Sequence, residues 1–320
     1  MLLSLLLFAI GLVLLIKGGD WFVDGATGIA RRFDLPEIVV GATVVSIGTT
    51  LPEVMVSVTG ALAGQGSMAY GNAIGSIICN TCLIAAISVT FHPGPVHRKA
   101  LKLPVLFFFV SAAVYCFAAY GLGGFPRWLG LVLLGIFALY MLFTVRQGLN
   151  ASQSPREEQE TQGRQLRQEL LLLAGGAAII ALGADLLVDH GTLIAQTLGV
   201  PETVIALTFV ALGTSLPELV TTLASLRQGH AALGLGNVIG ANIFNLVLVS
   251  GVSVALAPFQ VPAGKTLFGI NASLALDIPL MVGAMGLLTL PPLYGGKLHR
   301  WQGISLLAVY AGFCALQFVL

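Results

Sequence analysis

Two glutamates stand in stretches that otherwise read as membrane-buried helix. Glu53 follows a proline in GTTLPE, residues 48–53, and Glu218 follows a proline in GTSLPE, residues 213–218. A carboxylate deep in a bilayer is costly and by default marks a functional site. Two carboxylates brought together cannot both stay ionised without a cation or a proton. The pair therefore predicts a site for cations or protons.

The prolines predict backbone oxygens without helical partners. Proline removes one backbone donor and clashes with the preceding turn, and freed carbonyls in hydrocarbon must be buried in protein or line a cavity. We therefore expect the helices to break near Thr49 and Thr214, beside the two glutamates. The alternative is a simple kink with an acid that reaches the interface, and it would have to occur twice at matched positions.

A second repeated motif adds amides and hydroxyls. GNAIGSIICN, residues 71–80, has a spacing that puts Asn72, Ser76 and Asn80 near one stripe of a helix, and GNVIGANIFN at 236–245 repeats it. Hard cations such as Ca2+ take six to eight oxygen ligands from carboxylates, carbonyls, amides and water. The candidate ligands are Glu53, Glu218, the carbonyls of Thr49 and Thr214, the hydroxyls of Thr50 and Ser215, and Asn72, Asn80, Asn237 and Asn245.

Glycines in the same motif have a second interpretation. Gly71 and Gly75, with Gly236 and Gly240, form small-x-x-x-small patterns that let another helix approach closely. Such patterns are more often packing faces than ion sites. We therefore expect close helix crossings at both motifs.

The elements that carry these residues are membrane spans. Of the 320 residues, 57% are hydrophobic and 9% are charged, against about 25% charged in soluble domains. This composition excludes a water-soluble globule and predicts an all-α polytopic membrane protein. Ten apolar runs are long enough to span a bilayer, and they cover residues 1–19, 36–62, 70–90, 101–121, 126–146, 168–190, 200–226, 233–256, 266–290 and 301–319.

The chain is one unit written twice. A shift of 165 residues aligns 18–89 with 183–254 without a gap, and about a third of the pairs are identical. Each half holds five runs, so the second half must enter the membrane from the opposite side. We predict two inverted five-helix repeats, 1–149 and 169–320, joined by a cytoplasmic linker at 150–168, with broken helices at the midplane. Inverted repeats are typical of secondary transporters, whose sites lie where the repeats meet.

Basic residues predict the orientation. With the N-terminus outside, the cytoplasmic loops would hold thirteen Lys and Arg residues, and the other side would hold only Arg127 and Lys265. Cytoplasmic loops carry this excess in membrane proteins. We therefore expect an integral protein of the cell (inner) membrane with both termini outside.

No motif for catalysis or nucleotide binding can be recognised in the sequence. No nucleophile stands with a base, and the glycine spacings lack the Lys-Ser or Lys-Thr of a phosphate loop. We expect no enzyme activity, no cofactor, no ATP and no nucleic-acid partner, and the oligomeric state stays open. A cation channel or a non-transporting Ca2+-binding scaffold are alternatives to a transporter driven by an ion gradient, which the duplication favours.

In the four quoted motifs the sequence resembles the cation/Ca2+ exchanger superfamily, specifically its prokaryotic Na+/Ca2+ exchanger branch. The motifs look like the two alpha repeats of that family, and the resemblance extends over the whole chain in topology. It implies ten helices in two inverted halves, with ion sites between helices two, three, seven and eight. It also implies alternating access by sliding of helices one and six.

The resemblance also implies roles for individual residues. Glu53 and Glu218 would bind Ca2+ with the carbonyls of Thr49 and Thr214. Sodium would use the same glutamates, the carbonyls of Ser46 or Ala211, and the side chains of Thr50, Ser76 and Ser215. Overlapping sites make binding of the two ions mutually exclusive, so exchange follows.

Two positions depart from the pattern of the family. Asn245 stands where some relatives have Asp, which leaves at most two full negative charges and argues against K+ co-transport, and Ala241 stands where serine is common. The resemblance implies an antiporter that exports Ca2+ in exchange for Na+. A H+/Ca2+ exchanger, or one for another divalent cation, is the alternative, and the stoichiometry stays open.

Overall fold

The computed structural model describes residues 2–151, 166–198, 213–264, 266–267 and 269–319. These residues are nearly all helical. The helices are α1 Leu2–Arg32, α2 Glu37–Leu62, α3 Gly66–Phe91, α4 Arg98–Leu122, α5 Arg127–Ala151, α6 Leu166–Thr197, α7 Leu216–Arg227, α8 Ala231–Leu256, α9 Ser273–Gly295 and α10 Arg300–Val319.

Within the described ranges, three short antiparallel strand pairs join the loops. Their strands are β1 Gly94–Pro95, β2 Gly124–Phe125, β3 Phe259–Gln260, β4 Thr266–Leu267, β5 Ile270–Asn271 and β6 Lys297–Leu298. β1 pairs with β6, β2 with β3, and β4 with β5, so two of the three pairs connect the halves of the chain. The β4–β5 pair occupies the predicted start of the ninth apolar run, and α9 therefore begins later than expected.

Among the described residues, eight helices are long and apolar enough to cross a bilayer, namely α1 to α6, α8 and α9. They coincide with eight of the predicted runs, which agrees with an all-α polytopic membrane protein. The last run forms α10. Most of the predicted run at 200–226 lies outside the described residues, and α7 covers its end, so the count of ten spans stays a prediction. The same holds for the linker, of which only the ends at 150–151 and 166–168 are described, as helix.

In the described part of the chain, five helices contain a stretch of wider, π-helical turns. These stretches are Gly41–Val45, Asn80–Ala85, Phe117–Leu122, Asn245–Val249 and Ser273–Asp277. Such turns are rare in proteins overall, and those that occur are often at functional sites. Two of them begin at Asn80 and Asn245, which are equivalent in the two halves and are both candidate ligands.

The predicted break at Pro52 is wrong, because a regular α-helix runs through Ser46–Leu62 with Pro52 inside it. Proline removes a single backbone donor, and the surrounding turns keep their own bonds. The second half differs: Thr214 and Ser215 form a turn, and α7 begins at Leu216 with Pro217 in its first turn. Proline is tolerated there, because first-turn N–H groups have no intrahelical partner.

α1 and α6 pack as an antiparallel pair along small residues. A Cβ added at Gly11 would lie 2.9 Å from the Gly183 carbonyl oxygen, and one at Gly176 would lie 2.9 Å from that of Gly18. The shift of 165 residues converts Gly11 to Gly176 and Gly18 to Gly183, so the two contacts are equivalent. In lipid, helices associate through such close packing, because the solvent between them is already apolar.

α8 lies at the centre of the protein. Every residue from Leu233 to Phe244 is buried, and the helix packs against α2, α3, α4, α5 and α7. A Cβ at Gly236 would lie 2.9 Å from the Cα of Ile38, and one at Gly240 would lie 2.6 Å from the Cα of Ala42. The expected close crossing at Gly236 and Gly240 is therefore confirmed.

The equivalent glycines of α3 have a different surrounding. No described atom would lie within 4 Å of a Cβ at Gly71 or Gly75. The shift of 165 residues places their crossing partners at positions 203 and 207, which lie outside the described residues. The crossing expected for Gly71 and Gly75 stays a prediction.

Candidate cation site

Glu53 and Glu218 are both completely buried, with 0% exposure. α2 carries Glu53, the first turn of α7 carries Glu218, and the two helices contact each other. Both carboxylates are therefore buried on neighbouring helices. None of their four oxygens has a hydrogen-bond partner within the described part of the chain. Because buried charges are normally paired, this arrangement calls for cations or protons.

Further unpaired polar atoms come from the two wide turns. The side-chain amides of Asn80 and Asn245 are completely buried, and neither their oxygens nor their nitrogens have a partner among the described residues. The turn that begins at Asn80 packs against α7, and the turn that begins at Asn245 packs against α2. The turns therefore bring both asparagines to the helices that carry the glutamates.

Hydroxyls complete this set. Thr50 and Ser215 are each 1% exposed, and neither hydroxyl has a described partner. Thr49 and Thr50 lie about one turn before Glu53 on α2. Buried polar groups are hydrogen-bonded in the great majority of cases. The concentration of exceptions here matches the oxygen ligands that a hard cation needs.

Asn72 is a bridging residue in this structure. Its Nδ2 donates to the Oγ of Ser57 at 2.8 Å and to the backbone carbonyl of Glu53 at 3.1 Å. The hydroxyl of Thr214 donates to its Oδ1 at 3.2 Å. Asn72 thus joins α3 to α2 and to the turn before α7. The sequence did not single out Ser57, although it lies one turn after Glu53.

Asn237 also bridges two helices, α8 and α2. The hydroxyl of Thr49 donates to its Oδ1 at 3.1 Å, and the hydroxyl of Ser46 lies 3.3 Å from the same oxygen. Its Nδ2 has no partner among the described residues. Asn237 therefore ties α8 to α2, and with Asn72 it positions the helices that carry the unpaired groups.

The remaining candidates lie at the edge of this cluster or outside it. Ser76 is buried on α3, one turn before Asn80. Its equivalent Ala241 is completely buried and has no hydroxyl. Ala211 lies outside the described residues, so its candidate carbonyl has no structural description.

The cluster offers the kinds of oxygen ligand that suit a hard cation. No group of three or more His, Cys, Asp or Glu side chains suited to a metal ion occurs in the described ranges. Two carboxylates, amides, hydroxyls and carbonyls are the oxygen ligands that Ca2+ and similar ions prefer, whereas transition metals favour imidazole and thiolate.

Comparisons with known proteins agree with this chemistry. The chain matches the family described as Sodium/calcium exchanger protein over residues 3–146 and 169–319. The Sodium/calcium exchanger MaX1 of Methanosarcina acetivorans is 30% identical over 98% of both chains. Inner membrane protein YrbG of Escherichia coli is 35% identical over 82% of both chains.

A solved structure shows the same fold. The sodium-calcium exchanger NCX_Mj superposes with a TM-score of 0.81 at 34% identity, over 98% of each chain. The match extends across nearly the whole length of this protein, so it includes the helices that carry both glutamates. The chain therefore belongs to the sodium/calcium exchanger family, a family of membrane ion exchangers and not of enzymes.

Proposed function

We propose that this protein exports Ca2+ in exchange for Na+ by alternating access. The observation that carries the proposal is the pair of completely buried glutamates, Glu53 and Glu218, whose four oxygens have no partner among the described residues. One Ca2+ neutralises two carboxylates. Na+ ions that use the same carboxylates exclude Ca2+, and this competition couples the two fluxes.

The proposed ligand set combines this pair with neutral oxygen groups. Glu53 and Glu218 contribute charge, and the residues that contribute neutral oxygens are Thr49, Thr50, Thr214, Ser215, Ser46, Ser76, Ala211, Asn80, Asn245, Asn72 and Asn237. Because Asn245 is neutral, the site holds at most two full negative charges. That number suits one Ca2+ and leaves no third carboxylate for K+.

The proposed architecture is two inverted five-helix repeats, 1–149 and 169–320, joined by the linker at 150–168. The antiparallel packing of α1 against α6 supports it, because these helices are equivalent in sequence and run in opposite directions. The excess of basic residues in alternate loops supports an orientation with both termini outside and the linker in the cytoplasm.

Ion flux into vesicles tests the function. Purified protein in liposomes loaded with Na+ is compared with matched vesicles loaded with K+, and with K+ vesicles that carry an outward proton gradient, at fixed membrane potential. Uptake of radioactive Ca2+ is the readout, and we expect it to require internal Na+.

Other outcomes identify the alternatives. Uptake driven by the proton gradient alone would make the two glutamates proton carriers in a H+/Ca2+ exchanger. Uptake that needs no counter-ion and does not saturate would indicate a channel. Ca2+ binding without flux in any vesicle would indicate a scaffold, and either of the last two results refutes exchange.

A further inference from the structure

A crevice lies between α4 and α5 on the surface of the helix bundle. It encloses about 590 Å³, within the range of about 300–1,000 Å³ that is typical of small-molecule sites. We call it the α4–α5 crevice, and its lining residues are Lys99, Lys102, Leu103, Leu106, Phe143, Arg146 and Gln147. Five of the seven are exposed, so the crevice opens on the outside of the protein, where a membrane-spanning helix meets lipid.

The lining residues of α4 follow one stripe of the helix. Lys102, Leu103 and Leu106 stand three, four and seven residues after Lys99, and this spacing puts side chains on the same face. The two lysines lie near the start of the helix, and the two leucines follow toward its middle. At a rise of 1.5 Å per residue, the stripe runs about 10 Å from Lys99 to Leu106. It therefore changes from charged to apolar along the membrane normal.

α5 has the same order of charge and apolarity in the opposite chain direction. Arg146 and Gln147 lie near its end, and Phe143 lies one turn earlier. The Nε2 of Gln147 donates to the carbonyl of Lys99 at 2.9 Å, and the rings of Phe107 and Phe143 are 6.2 Å apart. These contacts place the end of α5 beside the start of α4. The crevice thus has three cations at one end and apolar side chains at the other.

The three cations have no described counter-charge. Lys99, Lys102 and Arg146 form no ion pair with any described residue, and the described lining holds no Asp or Glu. Arg32 differs, because its Nε lies 3.1 Å from the carboxylate of Glu169. Like charges three residues apart on a helix are unfavourable. The positive-inside rule accounts for basic residues at this end of the helices, but it does not account for their convergence on one crevice.

We propose that the α4–α5 crevice binds an anionic phospholipid. The cations hold the phosphate headgroup and the apolar side chains contact the acyl chains, the two sets being Lys99, Lys102 and Arg146, and Leu103, Leu106 and Phe143. Basic pockets between membrane helices bind such headgroups, and the guanidinium of Arg matches phosphate with paired donors. A soluble anion would use only the charged end. With the proposed orientation the crevice faces the cytoplasmic leaflet, whose surface potential is negative.

Lipid binding to the purified full-length protein, immobilised in a neutral detergent, tests this proposal. Radioactive phosphatidylglycerol is the probe, and unlabelled phosphatidylglycerol and phosphatidylcholine with the same acyl chains are the competitors. We expect phosphatidylglycerol to compete more strongly. Each basic residue near an anionic lipid contributes about fivefold in affinity, so the combined variant Lys99→Gln, Lys102→Gln and Arg146→Gln should bind the probe about a hundredfold more weakly. All three side chains are exposed, so the variant should fold.

A second triple variant is the matched control. Lys17→Gln, Arg31→Gln and Lys297→Gln remove the same charge from exposed residues that lie outside the crevice, on the same predicted side of the membrane. Binding of phosphatidylglycerol should be retained in this variant. Equal losses in the two variants would show a general attraction to positive charge and overturn the proposal. Unchanged binding in the crevice variant, or equal competition by the two lipids in the wild type, would also overturn it.

Soluble anions distinguish a lipid from a free phosphate. Inorganic phosphate and glycerol 3-phosphate are added as competitors, with sodium chloride at the same ionic strength as the reference. Because neither has an acyl chain, we expect neither to displace the probe beyond the effect of sodium chloride. Displacement by either would indicate a site for a soluble anion and overturn the lipid assignment. The binding assay involves no ion flux, so a failure of Ca2+ exchange in vesicles would refute the proposed function without affecting this site.

Discussion

Replacement of Glu53 by Gln removes one charge from the site and keeps the shape of the side chain. Glu53 is completely buried, its carboxylate oxygens have no described partner, and a second buried carboxylate, that of Glu218, lies on a neighbouring helix. Without an ion, the substitution therefore breaks no described hydrogen bond of the carboxylate and removes a like-charge repulsion. We expect ion-free Glu53→Gln to fold and to be at least as stable as the wild type.

Binding of Ca2+ should weaken strongly. Removal of one partner of a buried ion pair costs about 3–5 kcal/mol, and each 1.4 kcal/mol is tenfold in affinity. The Kd for Ca2+ should therefore rise about a hundredfold to a few thousandfold. Transport of Ca2+ should be abolished at concentrations that saturate the wild type.

Thermal unfolding with and without Ca2+ measures this loss. An ion that binds only the folded state stabilises it by about 2.7 kcal/mol at a hundred times its Kd. At the same concentration, a variant with a hundredfold weaker Kd would be stabilised by only about 0.4 kcal/mol. Wild-type protein stripped of Ca2+ should lose its own stabilisation, which provides the reference.

Glu37→Gln is the matched control. Glu37 begins the same helix, and its Oε1 lies 2.7 Å from the Nδ1 of His230, away from the cluster of unpaired groups. Glu37→Gln changes the net charge by the same amount as Glu53→Gln but lies away from the cluster, so stabilisation by Ca2+ should be retained. If Glu53→Gln and Glu218→Gln are both stabilised by Ca2+ as the wild type is, and transport Ca2+ normally, the assignment of the site is wrong.

Three further substitutions test other parts of the structure. Asn245→Asp should add a third negative charge to the site and shift the ion selectivity of vesicle flux toward K+ dependence. Unchanged selectivity would contradict our interpretation of Asn245. Asn80→Leu should weaken Ca2+ binding at least tenfold in the unfolding assay. Ion-free stability should not fall, because the amide of Asn80 has no described partner to lose. A binding affinity equal to that of the wild type would exclude Asn80 from the ligands. Gly240→Ala should lower ion-free stability by about 1–3 kcal/mol, because the added Cβ would overlap atoms of α2. Gly283→Ala is the control and should not lower it, because no described atom lies near the added Cβ. Equal effects of the two substitutions would refute the close crossing.

The sequence predicted the class of the protein and the charged centre of its site. Long apolar runs can be recognised without tertiary information, because a bilayer imposes a minimum length on each span. Glu53 and Glu218 are conspicuous because a buried acid is expensive and is present twice in matched motifs. The asparagines of the second motif were predicted from the same repetition.

The local backbone was less predictable. The sequence predicted a break at Pro52, yet α2 continues through it and the helix instead widens at Gly41–Val45. Pro217 stands in the same motif, but there a helix begins at Leu216. An identical Leu-Pro-Glu thus has two backbone forms, so the tripeptide alone does not determine the local backbone.

By itself, then, the sequence determined a duplicated membrane protein with two buried glutamates, since length, apolarity and repetition are properties of the chain. Only the tertiary structure decided which polar groups remain unpaired. Asn72 and Asn237 are bonded to neighbouring helices, whereas Asn80 and Asn245 have no described partner. These asparagines belong to the same repeated motif, and their difference arises from the helices packed against them. Hydrogen bonding between helices depends on crossings such as that of Gly240 with α2, which no local pattern specifies.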